Sequence, residues 1–152
     1  MARQDSDIPA QVDRLALDIL VASARFTRTL GRIPGVQHST VAWRVLAELA
    51  RGPAWISELA LQQRVAQPTM TALVQRLEAE GWLGRTPDPA DGRATLVSVT
   101  AAGTAALEDY RHTAAAAVDP HLAALSDCDR ATLSRAAELL QQLTERIEDP
   151  SG

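Results

Sequence analysis

Lysine is missing altogether from this 152-residue chain: all fifteen basic residues are Arg, set against nineteen acids for a net charge of −4. That balance excludes a protein that is basic all over, although nucleic-acid binding depends on where Arg sits rather than on the sum. Aromatics are also scarce, with three Trp, one Tyr and one Phe beside 28 Ala, a bias that reads as high-GC codon usage. A single cysteine, Cys128, rules out an internal disulfide, a CxxC redox pair and a thiolate zinc cluster. No apolar run reaches the roughly 18 residues of a membrane span, and the charged opening MARQDSDIPAQVDR lacks the apolar stretch of a secretory leader. The expectation is a soluble, cytoplasmic protein with no membrane partner. His38, His112 and His121 have no metal-ligand spacing, and there is no nucleophile elbow, phosphate-binding glycine loop or paired-carboxylate helix face. No metal site, no cofactor and no catalytic residue is therefore expected.

What is present suffices for a fold. With 46% apolar and 22% charged residues the chain can bury a core, and its length fits one domain with helical extensions. The charge is uneven: residues 1–50 carry six Arg against five acids, residues 51–99 five against five, and residues 100–152 four against nine. The acidity is C-terminal.

Apolar residues recur at steps of three and four from Val12 through Leu15, Ile19, Ala22, Phe26 and Leu30 to Ile33, which predicts a long first helix ending at Pro34-Gly35. Val41, Val45, Leu46 and Leu49 mark a short second helix stopped by Gly52-Pro53. Residues 56–63 and 68–80 read as two further helices, the latter with Pro68 in its first turn and Gly81 suited to its end. WLGRT, a turn-rich PDPADGRA and TLVSVT predict a β-hairpin with a long tip. Thr100 then caps an Ala-rich helix expected to bend or break at Asp119-Pro120, and Ser126 with Asp129 opens a last helix over 127–147. The fold class is mostly α with a small β-hairpin wing, a winged helix-turn-helix in which the last helix before the hairpin enters the major groove. Residues 37–99 form the expected DNA-binding domain. Residues 1–36 and 100–152 form a helical dimerisation region, because their wide apolar stripes exceed what so small a core can cover.

The blocks AWRVLAELARGP (42–53), SELA (57–60), QPTMTALVQRLEAEGWLGR (67–85) and DPADGRATLVSVTAAG (88–103) resemble, in order and spacing, those of the MarR-type transcriptional regulators. The D-x-R wing followed by the V-T-x-x-G junction makes the likeness more specific than a bare helix-turn-helix. The resemblance implies a homodimer with interlocked terminal helices, two winged domains reading a pseudo-palindromic double-stranded DNA operator, most often as a repressor, and frequently a small-molecule effector. Departures from the family pattern are Trp55 in place of a capping Thr, so that the capping box with Glu58 is expected to be missing, Ala66 in place of a capping Ser, Ala72 in place of a DNA-reaching Arg, and Gly92 in place of the first wing Arg. Fewer charges thus face the DNA.

In the fourth helix Met70, Leu73, Val74 and Leu77 form the inward stripe, and at about 100° per residue Pro68, Thr71, Ala72, Gln75 and Arg76 point away from it. Gln67 and Thr69 stand at the helix start, near phosphates. Gln pairs with adenine, Thr with a base edge or thymine methyl, and Arg with guanine or phosphate. Taken alone, such a face is an ordinary polar surface; within the whole pattern it is the reading face. Arg93, after the tight Asp91-Gly92 pair, suits a minor groove with Asp91 holding it, and otherwise makes a solvated hairpin salt bridge. Arg85 pairs with a local acid or a phosphate. For an effector, an apolar or aromatic acid in keeping with the resemblance, Trp43 and His38 are the candidate lining and Arg44 and Arg25 the candidate counter-charges; the plainer reading of Trp43 is core packing. Cys128, between two Asp, is expected to have no sensing role. The alternative to a DNA-binding regulator is a winged-helix protein-interaction module without DNA binding, favoured by the neutral 51–99 segment.

Overall fold

The structure, a computed structural model, describes residues 8–33, 38–87 and 95–149. Among these residues six helices and two paired strands follow in order: α1 (Ile8–Leu30), α2 (Thr40–Leu49), α3 (Ile56–Gln63), α4 (Gln67–Ala79), β1 (Leu83–Pro87), β2 (Thr95–Val99), α5 (Ala101–Ala123) and α6 (Asp127–Glu148). Two compact units divide within α5, after Ala114.

In the first unit the core is built from the short helices. Ser39 holds an extended backbone and its Oγ accepts the Ala42 N–H at 3.3 Å, so α2 starts capped and turns Trp43, Val45, Leu46 and Leu49 inward. Leu59 of α3, Met70, Val74 and Leu77 of α4, and Val97 of β2 complete the buried cluster, against which Leu107 of α5 packs. The α3–α4 turn passes through Arg64 in the left-handed region (φ 53°, ψ 44°), a conformation that bulky residues rarely adopt. At the other end of α4 the Gly81 N–H reaches Glu78 O and the Trp82 N–H reaches Leu77 O, both at 2.9 Å, with Gly81 at φ 78°. This is a complete Schellman closure. It turns the chain directly into β1.

The wing strands pair antiparallel, Leu83 with Val99 and Arg85 with Val97. Ala54 adds a third edge, exchanging both backbone bonds with Val97 at 2.9 and 3.0 Å. Thr100 then fastens wing to helix: its hydroxyl donates to Gly81 O at 2.7 Å and accepts the Gly103 N–H at 3.0 Å, while its own N–H reaches Trp82 O.

Two sequence expectations are corrected. The capping box of α3 is half present, because Glu58 still accepts the Trp55 N–H at 3.1 Å; only the reverse bond, which needs a side-chain oxygen at position 55, is lost. And of the bend or break expected at Asp119-Pro120 the break does not occur, because α5 continues to Ala123. Proline forfeits a single backbone bond, and it does so within one turn of the helix end, where Arg130 donates to the carbonyls of Leu122, Ala123 and Leu125.

In the second unit Ser126 caps α6 through the Asp129 N–H, and Arg130 also pairs with Asp127. No residue of α6 is buried. No helix among the described residues is long and apolar enough to cross a membrane.

Candidate nucleic-acid interface

The outer face of α4 is assembled by the burial of its inner one. With Met70, Val74 and Leu77 in the core, Gln67, Pro68, Thr69, Ala72, Gln75 and Arg76 are all exposed. Thr71 is half-buried and its hydroxyl donates to Gln67 O at 2.9 Å, so its lone pairs and its methyl group are what it can offer a base. Leu73, predicted on the inward stripe, is only partly buried. It lines a groove of about 310 Å³ together with Val41, Val65 and Ala72, while Ser39, Thr69 and Arg76 supply the polar edge. Sequence reasoning missed this groove; its one signal is that Leu73 stands at the margin of the apolar stripe.

Ala66 offers no side-chain acceptor to the first turn of α4, whereas α2 and α6 both begin under a serine cap. The free N–H groups of that turn, at the positive end of the helix dipole, suit an anion.

Arg85 on β1 faces a local acid: its Nε and Nη2 donate to the two carboxylate oxygens of Glu78 at 2.6 and 3.0 Å. That hydrogen bond, opposed by desolvation and aided by the Coulombic attraction of Glu78, raises the guanidinium pKa above its ordinary value. The pair ties wing to recognition helix and occupies Arg85. Arg64, at the turn, and Arg76, on α4, are exposed, have no carboxylate partner among the described residues, and are cations of this face that can meet a polyanion. Asp91 and Arg93 lie outside the described residues.

The effector candidates separate. Trp43 is 7% exposed and belongs to the core, stacked on Tyr110 of α5 with ring centroids 4.4 Å apart and planes within 3°. Its Nε1 is buried without an acceptor. His38 stands edge-on to Trp43 at 5.5 Å and against Trp82 at 4.6 Å, and its Nε2 lies 3.1 Å from Glu80 Oε2. Arg44 and Arg25 are exposed on α2 and α1, and among the described residues no hydrogen bond or ion pair joins either side chain to this cluster. Tyr110 and Glu80 are members that sequence reasoning missed. The scarcity of aromatics was the available signal, since two of the three Trp and the one Tyr gather here.

A model of the MarR family matches residues 35–94. An uncharacterized HTH-type transcriptional regulator of Mycobacterium bovis is 34% identical over 134 residues, covering 87% of this chain and 94% of that protein. The HTH-type transcriptional repressor IacR of Pseudomonas putida is 31% identical over 86 residues, 55% of this chain and 52% of its own length. Among solved structures, wild-type MarR of E. coli in its apo form superposes with a TM-score of 0.67 at 22% identity, over 83% of this chain and 96% of that one. The last likeness is one of fold.

Proposed function

The chain belongs to the MarR family of HTH-type transcriptional regulators, which bind DNA and are not enzymes, and on that premise we propose that it is a homodimeric repressor that reads a pseudo-palindromic operator and is released by a small-molecule effector. One observation carries the reading: α4 presents Gln75 and Arg76, exposed and without a partner among the described residues, beyond a first turn with no side-chain cap. Gln67 and Thr69 then stand against the phosphates, Pro68, Thr71, Ala72, Gln75 and Arg76 on the face toward the bases, and Arg93, steadied by Asp91, in the minor groove. Residues 37–99 are the DNA-binding domain, and residues 1–36 with 100–152 the dimerisation region. A relative named as a repressor supports that sign of regulation. The effector, a small aromatic or apolar acid, is assigned to the region of Trp43 and His38, with Arg44 or Arg25 as counter-charge; the support is the acceptorless Trp43 Nε1.

The decisive experiment is selection of bound duplexes from a random-sequence pool, followed by anisotropy titrations of selected and shuffled duplexes at several salt concentrations. A repressor of this kind prefers the selected duplex by about 10³ or more and loses affinity steeply with salt. Half-sites should lie about 10 base pairs apart, centre to centre. Binding with neither preference nor salt dependence would return the chain to the interaction-module reading.

Two variants should fail differently in that assay. Gln75→Ala should lose about 1–3 kcal/mol on the selected duplex and relax preference at one adenine-containing position per half-site, with shuffled DNA hardly affected. Arg93→Ala should weaken both duplexes alike and lower the salt slope by about one per wing. Unchanged discrimination in Gln75→Ala would hand base reading to Thr71, Arg76 or DNA shape, and an unchanged slope in Arg93→Ala would put the wing off the DNA.

A further inference from the structure

The C-terminal end of α4 is tied down by three polar contacts, and they lead to different places. Glu78 holds Arg85 on β1. Gly81 O accepts the Thr100 hydroxyl at the head of α5. Glu80, the last residue before the Schellman turn, meets His38 Nε2 at 3.1 Å, and His38 lies not in the wing or in α5 but in the connection between α1 and α2. The imidazole is itself held, 13% exposed, against the rings of Trp43 and Trp82, which also meet each other at 5.7 Å. The ends of α1 and α2 also come close, since a Cβ built on Gly31 would stand 2.9 Å from Thr40 Oγ1 at the start of α2.

We propose that His38 is a positioning residue for DNA reading: through Glu80 and Trp82 it fixes the end of the recognition helix against the α1–α2 connection and thereby sets sequence preference. The role rests on the DNA-binding reading above and goes beyond it. The physical reason is leverage and tolerance. Gln75 stands five residues before Glu80, about 7.5 Å along the helix axis, so a small shift at the C-terminal end is transmitted to it almost undiminished. A bidentate bond to a base edge is confined to a donor–acceptor window of about half an ångström, whereas a long, flexible Arg follows a phosphate through a larger displacement. Loosening the tie therefore erodes preference before it erodes background affinity.

His38→Phe keeps a ring against the two indoles and removes the nitrogen that meets Glu80; Glu80→Ala removes the carboxylate at an exposed helix end; His38→Gln restores a polar nitrogen on a shorter arm. The readout is the ratio of affinities for a duplex selected by the wild-type protein and a shuffled duplex of the same composition, because any effect of the Glu80 charge on DNA acts on both and cancels. His38→Phe and Glu80→Ala should each lower that ratio roughly three- to tenfold, with the shuffled affinity and salt slope unchanged in His38→Phe, which alters no carboxylate. The double variant should be no worse than either alone, and His38→Gln should recover part of the loss. A thermal melt establishes that each variant is folded; if His38→Phe is not, Glu80→Ala carries the test by itself. Unchanged ratios in folded variants, equal losses on both duplexes, or additive losses in the double variant would overturn the positioning role alone. A wild-type protein without any preference would overturn the DNA reading and this role with it.

Discussion

Replacing Gly103 by Ala is expected to destabilise the protein more than any other change of a single methyl group. An added Cβ would stand 2.2 Å from the Trp82 carbonyl oxygen and 2.9 Å from Val99 Cγ2, far inside van der Waals contact. The carbonyl has little freedom to retreat, because it accepts the Thr100 N–H at 2.9 Å and follows directly on the Schellman turn that closes α4. Either α5 moves off the wing or the Thr100 bonds to Gly81 and Gly103 break. Such overpacking costs about 2–3 kcal/mol, which in a chain of this length lowers Tm by roughly 5–10 °C. Gly52→Ala is the matched control, since nothing lies within 4 Å of its added Cβ and its φ is not positive; there the change should stay within about 0.5 kcal/mol. Urea titrations of both variants with unchanged m-values check the comparison. A Gly103→Ala protein as stable as the wild type would show that α5 does not approach the wing this closely.

The V-T-x-x-G junction was legible in the sequence as a pattern, and the packing at Gly103 supplies its physical cause. Legibility elsewhere follows the same division between local and long-range causes. Helix α3 and strand β2 fall where the apolar periodicity and the flanking Gly and Pro put them, and α4 is displaced by one residue, because those signals are local. The outward face of α4 was equally readable: once Met70, Val74 and Leu77 are inside, geometry leaves Gln75 and Arg76 outside. What pattern could not supply was pairing across elements. Arg85 reads equally well beside an acid or a phosphate until the turn at Gly81 brings Glu78 back to it, and nothing in the sequence around Ala54 signals that it bridges to Val97. Glu58 is a subtler case. Losing the cap oxygen at position 55 suggested losing the whole box, yet its two bonds are independent and one survives. At Pro120 the general cost of proline was weighed without its position, and close to a helix end that cost is small.

The largest functional effect is expected at the apolar face of α6. Leu133, Leu139, Leu140, Leu143 and Ile147 are all exposed, Ile147 by 78%, and they recur at helical spacing along one side. The opposite side carries the Arg135–Glu138 pair at 2.7 Å and is an ordinary solvated surface. On α1 Val12, Leu15 and Phe26 repeat the picture along one side, each more than half exposed, while the equally exposed Leu17, Leu20 and Val21 lie round the rest of the helix. Full burial of one such side chain contributes about 1.5–3 kcal/mol, so either stripe left in water forgoes an amount comparable to the whole stability of a small domain, about 5–15 kcal/mol. A second copy of the chain, carrying the same two stripes, is the occupant that the proposed homodimer supplies. Wild-type protein should therefore sediment at twice the 16.3 kDa chain mass at micromolar concentration. Leu140→Glu combined with Leu143→Glu places two carboxylates in the middle of the α6 stripe, where burial without a partner charge is prohibitive, and the variant should sediment as a single chain. The consequence for DNA is large because a dimer engages its second half-site intramolecularly: affinity for a duplex with two half-sites should fall by about 10²–10⁴, while affinity for a single half-site barely changes. A double variant that stays dimeric would move the interface off α6. One that becomes monomeric yet keeps full affinity for the two-site duplex would show that the winged domains bind independently, and the pseudo-palindromic operator would go with it.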